Sequence, residues 1–413
     1  MNFLQRIAFQ LHGRWPAGRA GGASSDDVLR RAGFRLPEKW TPRNVLAFAA
    51  FGLFCAALLD WKSGGFLGSL WRREHWFPVN LTALFVDQLS SPGSFFATLL
   101  VSASTPSFWY SLAYSLLVVV FGIRRIRRRR TPYVTAQTLT LMAVQVLFLF
   151  LLPQILLPWA GENEWIPFKV LDAFFPSIGF GQGREYWRAA GLVLPWPLLV
   201  QNIFSNPPLP AWIFLGLVQT LVGIPILVFL WGKGAFCGWI FPVGALAETL
   251  GDDHRAKMPH GPESNRVNFA GQGVLLFAIL LLALRVAGWS LFNAFEPVYR
   301  WVVDFFLAGV VGLGCLFWFS GRVWCRFFCP LAALMHHYAR FTRFRIFADG
   351  KKCISCNACT SVCHQGIDVM GFAQKGLPME DPQCVRCSAC VLICPTDVLS
   401  LSKNPRFRAR PTI

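Results

Sequence analysis

Eight cysteines near the end of the chain have types and spacing that can do redox chemistry. Cys353, Cys356, Cys359 and Cys363 follow C-x2-C-x2-C-x3-C, and Cys384, Cys387, Cys390 and Cys394 repeat it, with Pro395 directly after the second run. Three thiolates on one tight loop can reach three irons of a single cubane, while the fourth turns away to complete a second one. The spacing therefore predicts two [4Fe–4S] clusters, one held by Cys353, Cys356, Cys359 and Cys394, the other by Cys384, Cys387, Cys390 and Cys363. Structural zinc uses paired C-x2-C units rather than triplets with a distant fourth ligand, and disulfides are disfavoured on a reducing side of a membrane. His364 stands where the second run has Pro395, so the backbone after Cys363 lacks that proline restraint.

This is the pattern of a bacterial two-cluster ferredoxin, an α+β module expected over residues 353–403. Shared ligand loops hold two such clusters close together, which favours electron passage over substrate chemistry. No Gly-rich dinucleotide fingerprint precedes a helix, so the sequence offers no nicotinamide or flavin site.

A second cysteine pattern occurs twice, 88 residues apart: Cys237-Gly238-Trp239-Ile240-Phe241-Pro242 and Cys325-Arg326-Phe327-Phe328-Cys329-Pro330, with Ala245/Ala333 and Leu246/Leu334 at matching offsets. Each copy follows an apolar stretch. The two are read as a repeated hairpin ending in a C-x3-[CF]-P element at a span end.

The elements that must position these cysteines are membrane helices. Of 413 residues, 54% are hydrophobic and 15% charged, against about 25% charged in a soluble globular chain. Mean hydropathy is +0.45. Six stretches are long and apolar enough to cross a bilayer: Asn44–Trp61, Ser107–Ile123, Thr135–Leu157, Trp212–Trp231, Asn268–Gly288 and Tyr299–Phe319. A seventh, Leu81–Val101, carries Asp87, Gln88 and Pro92 and is read as interfacial or folded outside. The expected fold is thus a six-span α-helical membrane domain, residues 44–339, with the ferredoxin module behind it. A basic leader (1–43), a basic linker (340–352) and a tail (404–413) complete the organisation. Ser24 to Asp27 cap a short helix in the leader, and the five basic residues of the linker, among Phe341, Phe344 and Phe347, suggest a membrane-surface anchor.

The net charge of +18 would suit nucleic acid, but 31 of the 39 Lys and Arg fall in four segments: 1–43, 124–130, 231–269 and 320–413. Six spans with both termini in the cytoplasm put all four on one side, as the positive-inside rule requires. Nucleic-acid binding is therefore not expected, and the run Arg124 to Arg130 is the strongest topological marker. The long outer loops, about 62–106 and 158–211, are expected as an aromatic belt with surface loop, or as a docking surface for an extracytoplasmic redox partner. None of the seven histidines lies in a span, which excludes an embedded bis-imidazole haem. Cys55 and Cys315 lie in spans and are read as small buried apolar residues. His336 and His337 are read as part of an interfacial helix, with a ligand or proton-relay role as the alternative, and Asp304 as either a solvated residue or a quinol proton acceptor.

The paired C-x3-[CF]-P elements and the two-cluster tail together resemble the NapH/NosR group of membrane ferredoxin-type proteins, over roughly residues 135–403. The resemblance implies a multi-pass protein of the bacterial inner membrane that passes electrons between cytoplasmic or quinone-pool donors and a respiratory partner. The alternative it implies is a redox-linked assembly or regulatory factor for a metalloenzyme. In either case the expectation is a carrier or a subunit of an oxidoreductase system rather than a stand-alone enzyme. The group's pattern has a cysteine where this chain has Phe241. Three readings of Cys237, Cys325 and Cys329 stay open: a third redox centre with a non-cysteine fourth ligand, a Cys325/Cys329 dithiol, and a degenerate structural site.

Overall fold

A computed structural model describes residues 25–36, 45–46, 49–50, 94–103, 105–177, 183–205 and 208–402. The leader contributes helix α1, Ser25–Arg31. Helix α2, Phe95–Ala103, precedes α3, Pro106–Arg129. There follow α4, Pro132–Glu162, α5, Pro210–Trp231, the short α6, Pro242–Glu248, and α7, Pro262–Val286. Helices α3, α4, α5 and α7 are the four, among the described residues, that are long and apolar enough to cross a membrane. Each opens on a proline in its first turn, where the missing N–H costs nothing and the fixed φ suits the helix. Their outward faces carry exposed Leu117, Val120, Phe214, Leu221, Leu276 and Leu280, as lipid contact requires.

The sixth expected span is helical but irregular. Helix α8, residues 291–317, begins as a regular helix and rewinds to a wider one over Arg300–Gly314, ending in one tight turn. It is not among the four long apolar helices, although it returns the chain from the end of α7 to the cysteines. The first expected span, Asn44–Trp61, lies almost wholly outside the described residues. So does most of the stretch Leu81–Val101, whose end forms α2. There the Thr98 hydroxyl donates to the Glu162 carboxylate at 2.5 Å and Ser102 to the Gln154 carbonyl at 2.5 Å.

The segment expected as an outer surface loop, 158–211, has a core of its own. Trp196, Val200 and Ile203 are buried with Tyr299 and Phe292, and Leu171, Phe175 and Tyr186 gather around Trp212. Backbone carbonyls of this segment are taken up by helix side chains: Thr220 donates to Trp196 at 2.5 Å, Tyr299 to Pro197 at 3.0 Å and Arg285 to Ser205 at 2.8 Å. Trp196, Val200 and Ile203 belong to the same core as Cys237, Cys325 and Cys329, so this segment reaches into the bundle rather than staying at its surface.

Beyond α9, Pro330–Ala339, the chain enters the C-terminal module. Strands β1, Arg345–Ala348, and β2, Leu399–Ser402, pair antiparallel with Arg345 opposite Ser402. Between them lie α10, Ala358–Ser361, α11, Val369–Gln374, and α12, Ala389–Ile393. Part of the expected linker is therefore strand, with Ile346 buried in the module core.

The leader docks on the same module. Leu29 and Phe34 join its core with Val362 and Ile393, the Arg129 guanidinium lies 4.0 Å above the Phe34 ring, and the Arg35 amide donates to the Asp253 carbonyl. The module in turn sits on the membrane helices. Lys233 donates to Gln383 at 2.7 Å and Tyr133 to the Arg386 carbonyl at 2.8 Å. Gly234 lies so close to the Val385 carbonyl that any side chain would collide with backbone.

Candidate iron–sulfur site

The two cysteine runs fold alike. In each, the residues flanking the second cysteine have left-handed backbone: Ser355 (φ 57°) and Asn357 (φ 63°) around Cys356, Arg386 (φ 50°) and Ser388 (φ 64°) around Cys387. Such φ values are uncommon outside glycine, and here the matched pair curls each loop so that three sulfurs converge. The third cysteine of each run then lies in a short helix, α10 or α12, and the fourth follows that helix.

Convergence is crosswise between runs. Cys353, Cys356, Cys359 and Cys394 line one cavity, together with Ile354, Met370, Val398 and Leu399. Burial pushes the Cys359 thiol up to about 12, and the proximity of Cys356, Cys394 and Cys353 adds to it. The second set is Cys384, Cys387, Cys390 and Cys363. Burial pushes Cys363 up to about 12 against a hydrogen bond from the Ile367 backbone, with Cys387 and Cys384 raising it further. Cys390 is raised by burial and then by Cys387, Cys384 and Cys363, and it also feels Cys359 of the first set. Buried sulfurs brought this close together favour the neutral thiol on their own, and a bound metal cluster is what would hold them as thiolates.

The C-x3-[CF]-P elements also fold alike. Phe241 (φ −71°, ψ 132°) and Cys329 (φ −69°, ψ 115°) are both extended ahead of their prolines, as a residue before proline must be, and each starts a helix. Cys237, Cys325 and Cys329 are all buried in one core. Burial and Cys325 push the Cys237 thiol up to about 12, opposed by Lys233 and Arg322. Lys233 is itself fully buried; burial lowers its ammonium, and Cys237, Cys329 and Cys325 counter that. Cys329 Sγ accepts the Ala332 N–H at 3.4 Å. Phe241 stacks on Phe236, ring centres 5.9 Å apart. Cys315 is buried at the end of α8, whereas Cys55 lies outside the described residues.

Several residues that bear on the site are not evident from the sequence. Glu248 on α6, fully buried, accepts from Arg125 Nη2 at 2.8 Å, from Arg322 Nη2 at 2.6 Å and from Arg255. Burial alone would raise its carboxyl, yet Arg255, Arg125, His364 and Arg322 hold it well below the usual range. His364 is buried with its Nε2 3.6 Å from Glu248; the residue in the proline's place thus packs into an ion-pair network. The run Arg124 to Arg130, expected as a topological marker, also makes specific pairs: Arg129 with Asp252 at 2.7 Å, Arg124 with Asp253 at 3.2 Å, and Arg128 with Asp253. Among the described residues, Glu248, His364 and Cys387 are the one group of three such donors within 4.8 Å of each other. Arginines already occupy that carboxylate, and Cys387 belongs to the second sulfur set.

Comparison with known proteins agrees with this architecture. The family model described as a 4Fe-4S dicluster domain matches residues 345–395. One described as a 4Fe-4S binding domain matches twice, at 212–259 and 305–346, each match containing one C-x3-[CF]-P element. YccM of Escherichia coli (strain K12), a protein named for electron transport, is 27% identical over 160 residues, 35% of this chain and 45% of its own length. The regulatory protein NosR of Stutzerimonas stutzeri is 30% identical over 148 residues, 33% of this chain and 20% of its own. The uncharacterized protein MJ0749 of Methanocaldococcus jannaschii is 26% identical over 153 residues, 35% and 56% respectively. The matches thus span about half or less of these relatives. No solved structure matches the chain. The resemblance to NosR-type ferredoxin proteins is shown by these relatives together with the family models.

Proposed function

We propose that the chain is a membrane-bound electron-transfer protein whose tail holds two [4Fe–4S] clusters, through Cys353, Cys356, Cys359 and Cys394 and through Cys384, Cys387, Cys390 and Cys363. The crosswise convergence of the two runs carries this reading, since it gathers four sulfurs at each of two neighbouring places. Such clusters supply one-electron transfer. What the chain adds is position: the Gly234–Val385 contact and the Lys233–Gln383 bond hold the second sulfur set against the membrane helices. The leader covers the module with Leu29 and Phe34.

The orientation that fits is both termini in the cytoplasm of a bacterial inner membrane, with six crossings. A cytoplasmic reductant or the quinol pool is the donor class, and the acceptor is a respiratory redox partner. Anaerobic membranes containing the protein are expected to show its cubane signals reduced by quinol or by a cytoplasmic donor and reoxidised by the partner. A protein that takes no electrons from either donor overturns the reading.

A second reading, a redox-linked assembly or regulatory factor, is favoured by the name of the NosR relatives, which are called regulatory proteins. Deletion separates the two. Loss of a carrier leaves its partner enzyme metal-replete but starved of electrons, whereas loss of an assembly factor leaves that enzyme present and metal-deficient.

A further inference from the structure

Glu248 holds two guanidinium groups that reach different sulfur sets. Arg255 bonds to Glu248 and places Nη1 3.3 Å from Cys387 Sγ. The same nitrogen lies 3.1 Å from Nδ1 of His364. Arg322 puts Nη2 2.6 Å from the other carboxylate oxygen and Nη1 2.8 Å from the Cys237 carbonyl, 3.9 Å from Cys325 Sγ. Asp252 fixes Arg255 from the far side, accepting from Nε at 2.8 Å.

The charges in this network do not cancel. Glu248 and Asp252 face Arg125, Arg255 and Arg322, all with side chains no more than 6% exposed, and Arg129 adds a fourth cation at the rim. A surplus positive charge shielded from water calls for a counter-ion. Two sulfurs lie within its reach, Cys387 at 3.3 Å from Arg255 and, more distantly, Cys325 at 3.9 Å from Arg322, and the nearer one belongs to the second set. A thiolate-held cubane is an anion that gains charge on reduction, and hydrogen bonds to its sulfurs help set its potential. The first set has different surroundings. Besides its four cysteines its cavity is lined by Ile354, Met370, Ala373, Pro395, Val398 and Leu399 with the uncharged Ser355, Asn357 and Thr396, so no charged side chain is among the lining residues, and Thr396 Oγ1 lies 3.7 Å from Cys394 Sγ.

We infer that Arg255, positioned by Glu248, sets the potential of the cluster held by Cys384, Cys387, Cys390 and Cys363 and makes it the more easily reduced of the two. An electron shared by the pair then resides on the side facing Cys237 and Cys325, with the first set oxidised and no proton moved. The inference rests on the two-cluster reading and adds the order of the potentials and the residue responsible for it.

The test is an anaerobic redox titration of the full chain in lipid nanodiscs, followed by electron paramagnetic resonance. Wild-type protein should show two resolved midpoints. Arg255→Gln should lower the higher midpoint and leave the lower one in place. Arg255→Lys keeps the charge but loses the planar fork, and should lower the same midpoint by less. Coincident wild-type midpoints overturn the inference. So does an Arg255→Gln protein in which neither midpoint moves, both fall together, or only the lower one falls. Should Arg255→Gln fail to retain its clusters, an unmoved higher midpoint in Arg255→Lys overturns it equally. Absence of any cubane signal pair from wild type removes the two-cluster reading itself, a different result from two clusters with the wrong order.

Discussion

At the scale of residues, the eight tail cysteines were legible because cluster ligation imposes a short, local spacing. Their crosswise grouping follows from it and reappears in the cavity shared by Cys394 with Cys353, Cys356 and Cys359. Replacing Cys356 with Ala is therefore expected to remove one cluster and leave roughly half the iron, with a less stable tail, because cluster binding and folding are coupled. Iron analysis of anaerobically purified protein checks this; undiminished iron would break the ligand assignment. The left-handed Ser355, Asn357, Arg386 and Ser388 were not legible. Ser and Arg carry no mark of positive φ and Asn357 only a weak one, and here the convergence of the flanking cysteines accounts for it. Phe241 tests the second cysteine site. It shares the pre-proline backbone of Cys329, so Phe241→Cys places a fourth sulfur beside three buried ones. The expected result is iron and a spectroscopic signal beyond those of the tail. Unchanged iron would favour a structural role for Cys237, Cys325 and Cys329.

At the scale of elements, apolar length located the helices, but long-range pairing decided how their ends meet. The basic run after α3 reads as a solvated topological marker, yet Arg125 is buried against Glu248, 123 positions away. No local pattern announces such a partner. Removing one member of a buried ion-pair network leaves the others uncompensated, so Glu248→Ala is expected to cost about 3–5 kcal/mol, read as a lowered unfolding midpoint of the solubilised protein. The pH dependence has two windows. Burial, with Lys257 and Arg35, holds the His254 imidazole down to about 4, while an unfolded histidine titrates near about 6.5. The unfolded chain thus binds the extra proton between these values, and stability falls as pH drops from about 6.5 to about 4. His254→Gln should make that part of the profile shallower without abolishing it, because burial also lowers the His364 and His336 imidazoles. Glu248 and Asp252, both held below the ordinary carboxylate range mainly by arginines that outweigh their burial, act only further down. Their contribution is present above the unfolded carboxyl pKa and is lost in stronger acid.

At the scale of the whole molecule, the contacts sort the described segments into two ends. The leader, the basic turn after α3, the loops around Lys233 and Arg255, the segment from Arg322 to Cys329 and the tail module all touch one another. They form one end. Glu162 and Ser205 mark the other, through their bonds to Thr98 and Arg285. Helix α7, with 25 residues rising about 1.5 Å each, runs from the first end to the second. Helix α8 must cover the same distance back, despite its irregular winding, since Arg322 reaches the Cys237 carbonyl. Residue 36 lies at the first end and residue 94 at the second, so the proposed membrane placement requires an even number of crossings between leader and tail. The proposed orientation puts the first end in the cytoplasm, the side that an excess of Lys and Arg favours. A reporter that is active only in the cytoplasm should therefore work at residue 413 and at the amino end. An export-dependent reporter should work when inserted near the exposed Trp165. Activity of the export-dependent reporter at residue 413 would put the cysteine module on the outer face and separate it from any cytoplasmic donor.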